Sequence, residues 1–264
     1  SLTPFTFASV REALRHGARA SSLVAESCRR AQAAAADGIF TALVPPQDAI
    51  RRADVLQRRA DDGENLPLLG LTFAVKDNIH VAGMATTSNC PGLCIMPEET
   101  AYAVRLLEDA GAVLVGKNTM DQFATGLNGT RSPEPLCRNA INASYIPGGS
   151  SSGSAVAVAR DIVDFSLGSD TGGSGRVPAA CNGVIGLKPT VGLVSSRGLL
   201  YNSRILDCIP VFARVTSDAY EVLELIAGYD ALDPFSRPDA GRIDVAAKAP
   251  VVKTLATPRT DQLR

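Results

Sequence analysis

The 264-residue chain has no tryptophan and only two histidines, His16 and His80. A zinc site built from Cys and His ligands is therefore disfavoured, because such sites take closely spaced ligand pairs. The six cysteines contain no C-x-x-C pair, and the N-terminus lacks the apolar core of a signal peptide, which favours buried thiols over a disulfide framework. We expect no metal and no cofactor.

The chain also lacks a long apolar run and an excess of either charge. No run approaches the roughly 18–20 residues that a membrane-spanning helix needs. Basic and acidic residues number 26 and 27, for a net charge of −1, and no basic patch is interleaved with aromatic residues. With 45% hydrophobic and 20% charged residues, the composition is typical of a globular protein. We expect a cytoplasmic location, with neither nucleic acid nor a membrane as partner.

Residues 1–66 predict a helical N-terminal part. Helical spacing over residues 8–37 predicts two helices joined near Gly17, and residues 48–61 predict another helix with Asp48 as its N-cap. The composition changes at residue 71, where LTFAV predicts a buried strand that runs into Lys76. Residues 67–264 are therefore expected to form the sheet-containing core.

Helices and apolar strands alternate from there on. Residues 98–110 predict a helix that ends at Gly111, followed by the strand AVLVG. Two further strands are expected at 162–167 and 184–187, and a helix capped by Ser217 is expected at 217–227. This alternation predicts an α/β fold with a largely parallel sheet. Residues 230–250 read as a surface excursion and residues 251–264 as the start of a strand and loop, as in a domain incomplete at its C-terminal side.

Two Gly/Ser-rich loops, at 148–154 and 168–175, allow a close backbone approach to a ligand. A phosphate cradle is weakly supported, because neither loop is followed by GK[ST] or contains G-x-G-x-x-G. Residues 149–153 satisfy G-x-S-x-G, which would make Ser151 a nucleophile, but that mechanism needs a later histidine and none follows His80.

A serine–lysine pair is the remaining chemistry. A buried, neutral Lys76 could act as the base, because desolvation lowers a lysine pKa. The first loop offers several serines and the second offers Ser174, beside the TGGS amides that could line an oxyanion hole. The alternative is a Gly/Ser connector with a lysine that reaches solvent.

Four motifs, GLTFAVKDNI, PGGSSSGSAVAVA, LGSDTGGSGRVPAA and GLKPT, resemble in order and spacing the amidase signature family, over roughly residues 70–190. The resemblance implies one amidase domain over 1–264, with a mixed, mostly parallel central sheet flanked by helices on both faces and an N-terminal helical cap. It also implies a homodimer. The family's domain exceeds 400 residues, so part of it is expected to be missing. Its Ser–cis-Ser–Lys triad maps by motif to Ser174 (nucleophile), Ser150 (bridge) and Lys76 (base), with oxyanion-hole amides from Thr171, Gly172, Gly173 and Ser174.

Three other segments, MDQFATGLNGTRSP, SSRGLLYNSRILDCIPVFA and YDALDPFSRP, are similar to the allophanate hydrolase branch. That likeness implies hydrolysis of allophanate, a small anionic amide, to ammonia and carbon dioxide, with a planar cation that binds its carboxylate. Arg204 is the first candidate and Arg176 the second, whose alternative role is an ion pair with Asp170. The chain departs from the branch at Gly172, where Ala is common, and at YNSR before residue 205. The alternatives are another amide (biuret, malonamate or glutamine) and an inactive fragment or scaffold subunit.

Overall fold

A computed structural model describes residues 6–238, within which six strands form one sheet. The strands are β1 (Phe40–Leu43), β2 (Thr72–Lys76), β3 (Val113–Asn118), β4 (Phe165–Leu167), β5 (Ile185–Leu187) and β6 (Val211–Ala213). The helices are α1 (Phe7–Arg15), α2 (Ala20–Ala33), α3 (Pro46–Asp61), α4 (Tyr102–Asp109), α5 (Ser152–Ala159), α6 (Arg176–Asn182) and α7 (Thr216–Ile226). The strand and loop predicted at 251–264, and most of the excursion predicted at 230–250, lie outside the described residues.

The sheet has the strand order β1-β3-β2-β4-β6-β5. β2 is parallel to both of its neighbours, β3 and β4, whereas β1 and β6 are antiparallel to the strands beside them. Four of the six strands therefore run in one direction, and the prediction of a mixed, mostly parallel sheet is confirmed. Every residue of β2 is buried, which explains why its three central residues, Phe73 to Val75, are all apolar instead of alternating with polar ones.

Helices cover both faces of the sheet, as the fold prediction expects. On one face, Phe73 and Val75 pack with residues of α1, α4 and α7. Phe73 stacks on Phe165 at 5.3 Å between ring centroids, and Phe7 of α1 meets the same ring edge-on at 5.6 Å. On the other face, Ala74 packs with α5 and with residues of α2 and α6. The alternation of these side chains follows from the two-residue period of a strand.

Several predicted boundaries are wrong. Asp48 is not an N-cap, because α3 begins at Pro46, where proline's fixed φ suits the first turn and its missing N–H is no loss. Ser217 is not an N-cap either, since α7 begins at Thr216 after Val215. β4 is shorter than the predicted strand at 162–167, because the chain still bends through residues 162–164 before it joins the sheet.

The N-terminal part is not wholly helical. Gly17 separates α1 from α2 with a φ of +89°, as predicted, and α2 packs on α3. β1 lies within the same part and pairs with β3, so this segment also supplies an edge strand that its short, mixed sequence did not reveal. The boundary at residue 66 stays a prediction. No helix in residues 6–238 has both the length and the apolarity to cross a membrane.

The six cysteines are all free thiols. Cys28, Cys137 and Cys208 are buried, as predicted, whereas Cys94 is exposed and the remaining two are half-buried. Among residues 6–238, no three His, Cys, Asp or Glu side chains are grouped so that they could hold a metal ion.

Candidate active site

Three strands bring the polar residues of the site to one edge of the sheet. β2 ends at Lys76, β3 ends at Asn118, and β4 leads directly into the second Gly/Ser loop. Because these strands are parallel neighbours, their carboxyl ends share one edge, which is where ligands bind in α/β sheets. The first Gly/Ser loop reaches the same edge just before α5.

The Lys76 amino group lies among hydroxyl groups and has no solvent contact. Its Nζ donates to Ser150 Oγ at 2.6 Å and to Ser169 Oγ at 2.8 Å, and its side chain is fully buried. Asn78 donates to Ser169 Oγ at 3.1 Å from the other side. Ser169 is thus a residue that the sequence interpretation missed, and it holds Lys76 towards Ser150.

Burial lowers the pKa of Lys76 to about 7, against the opposing effect of three carboxylates, Asp121, Asp207 and Asp170. The ammonium is costly to bury because hydroxyl groups solvate a charge less well than water does. Above pH 7 the neutral amine is therefore the main form. A neutral amine with a serine hydroxyl at 2.6 Å can accept that hydroxyl's proton.

The loop that carries Ser150 depends on glycine for its close packing. A Cβ on Gly149 would clash with the Asp121 carboxylate and with the backbone of Gly129. The Gly149–Ser150 peptide bond is cis, and the Ser150 carbonyl accepts a hydrogen bond from the Asp121 N–H at 3.0 Å. The Asp121 carboxylate in turn accepts from the Gly129 N–H at 3.0 Å. Asp121, which the sequence interpretation also missed, therefore fixes the backbone of Ser150.

The second loop wraps around the buried carboxylate of Asp170. Asp170 accepts hydrogen bonds from the N–H groups of Gly173 and Gly175, both at 2.9 Å. It also accepts two from the guanidinium of Arg176, at 2.9 and 3.0 Å. Burial alone would raise the pKa of Asp170, but Arg176 and the loop amides outweigh it and hold this pKa below its usual range.

These contacts bear on the roles expected for Gly173 and Arg176. Gly173 was predicted as an oxyanion-hole donor, yet its N–H is already committed to Asp170. Arg176 was the second candidate for binding a substrate carboxylate, and the structure shows the alternative role, an ion pair with Asp170. Both residues therefore shape the turn around Ser174.

The other three predicted oxyanion donors remain available. Within residues 6–238, the N–H groups of Thr171, Gly172 and Ser174 take part in no hydrogen bond to the protein. Ser174 itself is 3% exposed, and its carbonyl accepts from the Ser151 N–H at 3.3 Å, a bond that joins the two loops. Unpaired amides that face one position can bind a negative charge that develops there.

Arg204 lies outside this buried cluster. Its side chain is exposed, and its guanidinium stacks over the rings of Tyr201 and Phe235 at 5.7 and 5.3 Å. In the part of the chain that the structure describes, it forms no ion pair. A guanidinium held by ring faces keeps its in-plane donors free for a carboxylate.

Comparisons with known proteins show the family of the chain. The family model described as Amidase matches residues 22–260. The chain is 45% identical over 203 residues to urea amidolyase from Saccharomyces cerevisiae, covering 76% of this chain and 11% of that protein. It is 43% identical over 227 residues to a subunit of glutamyl-tRNA(Gln) amidotransferase from Deinococcus deserti, covering 86% of this chain and 46% of that protein.

A solved structure is similar to the chain as well. Allophanate hydrolase from Kluyveromyces lactis superposes with a TM-score of 0.73 and 48% sequence identity, over 76% of this chain and 33% of that chain. The chain therefore spans less than half the length of each of these three proteins.

The burial of Lys76 can be tested by NMR on protein labelled with ¹³C at the lysine ε-carbons. We expect one ε-carbon signal to titrate with a midpoint near pH 7, because desolvation favours the neutral amine. That signal should be absent from the Lys76→Met variant, which assigns it. A Lys76 signal that titrates near the ordinary lysine pKa of about 10.4 would contradict this expectation.

Proposed function

The chain belongs to the amidase family, and we propose that it hydrolyses allophanate with Ser174 as nucleophile, Ser150 as proton bridge and Lys76 as base. The observation that carries this proposal is the fully buried Lys76 amine with its pKa of about 7 and a serine hydroxyl at 2.6 Å.

In the proposed acylation step, the Ser174 oxygen attacks the carbonyl carbon of the amide. Its proton passes to Ser150, whose own proton passes to the neutral Lys76 amine. The Lys76 ammonium returns a proton through the same serine to the leaving nitrogen, so that ammonia departs and an acyl-enzyme forms at Ser174. Water then attacks the acyl group by the same proton path, and the remaining product breaks down to carbon dioxide and ammonia.

The free amides of Thr171, Gly172 and Ser174 are the proposed oxyanion hole. Each such donor contributes roughly 10²–10³-fold to kcat in enzymes where one has been removed. Asp170 supports them indirectly, because it binds the Gly173 and Gly175 amides and thereby sets the direction of the others.

Allophanate is favoured as substrate on two grounds. Two of the similar proteins are a urea amidolyase and an allophanate hydrolase. Arg204 presents a guanidinium with no ion-pair partner among residues 6–238, which suits a small substrate that carries a carboxylate.

The second candidate is hydrolysis of another amide, such as the side-chain amide of glutamine. The likeness to the glutamyl-tRNA(Gln) amidotransferase protein, which covers 86% of this chain, favours it. Ammonia release from allophanate, measured beside release from glutamine, biuret and malonamate, separates the two. If none of them releases ammonia, the chain is instead an inactive fragment or scaffold subunit. The homodimer stays a prediction.

The Ser174→Ala variant tests the nucleophile. We expect kcat for ammonia release to fall by about 10⁴-fold or more, because no acyl-enzyme can form. The matched control is Ser144→Ala, which removes an exposed serine and should leave kcat unchanged. Near-normal turnover by Ser174→Ala would exclude Ser174 as the nucleophile.

The Arg204→Ala variant tests recognition of the substrate carboxylate. We expect kcat/KM for allophanate to fall by about 10–100-fold, as for a lost charge-assisted hydrogen bond, while kcat/KM for a neutral primary amide stays within about twofold. Steady-state kinetics on the two substrates checks this. Equal losses on both substrates would rule out the carboxylate role.

A further inference from the structure

We propose that Asp207 is a positioning residue, which locks the loop bearing Arg204 onto the turn that carries the oxyanion donors. The inference rests on the proposed function in so far as Arg204 binds a carboxylate. It assigns a role to a side chain that touches neither Lys76 nor Ser174 by a hydrogen bond.

The Asp207 carboxylate is shared between the two segments. It is 3% exposed, and one oxygen, Oδ1, accepts the hydroxyl hydrogen of Thr171. The other oxygen, Oδ2, accepts the N–H groups of Asn202 at 2.7 Å and Ser203 at 3.1 Å. One buried side chain therefore fixes Thr171 and the two residues that precede Arg204. Thr171 is the first residue of the turn 171–174, called the oxyanion turn below.

The backbone next to Asp207 strengthens this connection. Asp170 and Cys208 exchange two backbone hydrogen bonds, with N···O distances of 2.9 and 3.1 Å. The C-terminal end of the Arg204 loop is thus paired with the residue that precedes the oxyanion turn. A shift of either segment has to break this pair or move the other segment with it.

The N-terminal end of the loop is anchored separately. The Asn202 side-chain amide donates to the carbonyls of Phe123 and Ala124, both at 3.2 Å, and to the Thr125 hydroxyl at 3.3 Å. Arg204 is therefore carried by a short loop that is fixed at both ends.

This arrangement suits a substrate that is bound at two points. The oxyanion and the substrate carboxylate lie a fixed distance apart in a small molecule, so the donors for each must be held at a matching distance. Misplacement by about 1 Å can cost 10²-fold in rate. Asp207 ties both sets of donors to one carboxylate, which makes their separation insensitive to loop motion.

The Asp207→Asn variant is the test. The Asn oxygen still accepts from Thr171, but its NH₂ group faces the two N–H donors of Asn202 and Ser203, so the loop is released. We expect kcat/KM for allophanate to fall by about 10–100-fold, mostly through KM, and that for a neutral primary amide to fall less than about fivefold. In the Arg204→Ala background, Asp207→Asn should change KM for allophanate by less than about twofold, because the residue to be positioned is gone.

The pH profile supplies a readout that a purely structural role would not move. Asp207 is one of the carboxylates, with Asp121 and Asp170, that oppose the lowering of the Lys76 pKa by burial. Removing its charge lowers that pKa further, so the acidic limb of kcat/KM for the neutral amide should move to lower pH.

Asp164→Asn is the matched control. Asp164 is an equally buried carboxylate that accepts a threonine hydroxyl and a backbone N–H, both from Thr72, at the end of β2 opposite to Lys76. The Asp164→Asn variant should leave the KM for allophanate and the acidic limb of kcat/KM unchanged. If Asp207→Asn matches this control, or if its effect on KM persists in the Arg204→Ala background, the proposal is wrong.

Failure of the Asp207 proposal can be distinguished from failure of the proposed function. If the wild-type protein hydrolyses neutral amides but not allophanate, the substrate proposal fails, and the shift of the acidic limb in Asp207→Asn still decides whether its carboxylate acts on the site. If Asp207→Asn unfolds, the Thr171→Val variant takes its place. It breaks only the contact to the oxyanion turn and should lower kcat on both substrates by at least about fivefold, and an unchanged kcat would overturn the proposal.

Discussion

The structure of the site depends on one energetic constraint, the burial of an amine that has only hydroxyl groups within hydrogen-bond distance. A charged lysine in this position would need a carboxylate in contact with it, and the nearest ones act on Lys76 only through space. The two serines at 2.6 and 2.8 Å satisfy the neutral amine instead. The strand that carries Lys76, the glycines that let Ser150 approach it and the loop that places Ser169 all serve this arrangement.

A second buried lysine on the neighbouring strand shows the alternative solution. Lys117 lies beside Val75 in the sheet and is also fully buried, but the Asp77 carboxylate is 3.0 Å from its ammonium. It also donates to the Ala85 carbonyl at 2.9 Å. Lys117 thus holds the loop after β2 through an ion pair, whereas Lys76 has hydroxyl groups and no carboxylate in contact with it. Burial lowers the pKa of Lys117 as well, but the Asp77 carboxylate in contact with it opposes this shift.

Much of this organisation was predictable from sequence. The apolar run LTFAV placed Lys76 at the end of a buried strand, the alternation of helices and strands indicated the sheet, and four motifs indicated the family. The edge strand β1 and the start of α7 were not predictable, because short strands and helix ends depend on neighbours that are distant in sequence. The same reason applies to Ser169 and Asp207, whose partners become visible only when the loops are folded together. Gly173 shows the limit most clearly, since the residue type fitted an oxyanion donor and only the folded turn directs its N–H to Asp170.

The central claim is that neutral Lys76 activates Ser174 through Ser150. The most direct measurement is the pH dependence of the rate at which a fluorophosphonate, whose phosphorus bonds to the serine oxygen as fluoride leaves, labels Ser174 in the intact protein. The rate should rise about tenfold per pH unit below pH 7 and level off above it, and the Lys76→Met variant should lose this rise. A labelling rate that does not change between pH 6 and pH 8, or a label on a different serine, would contradict the claim.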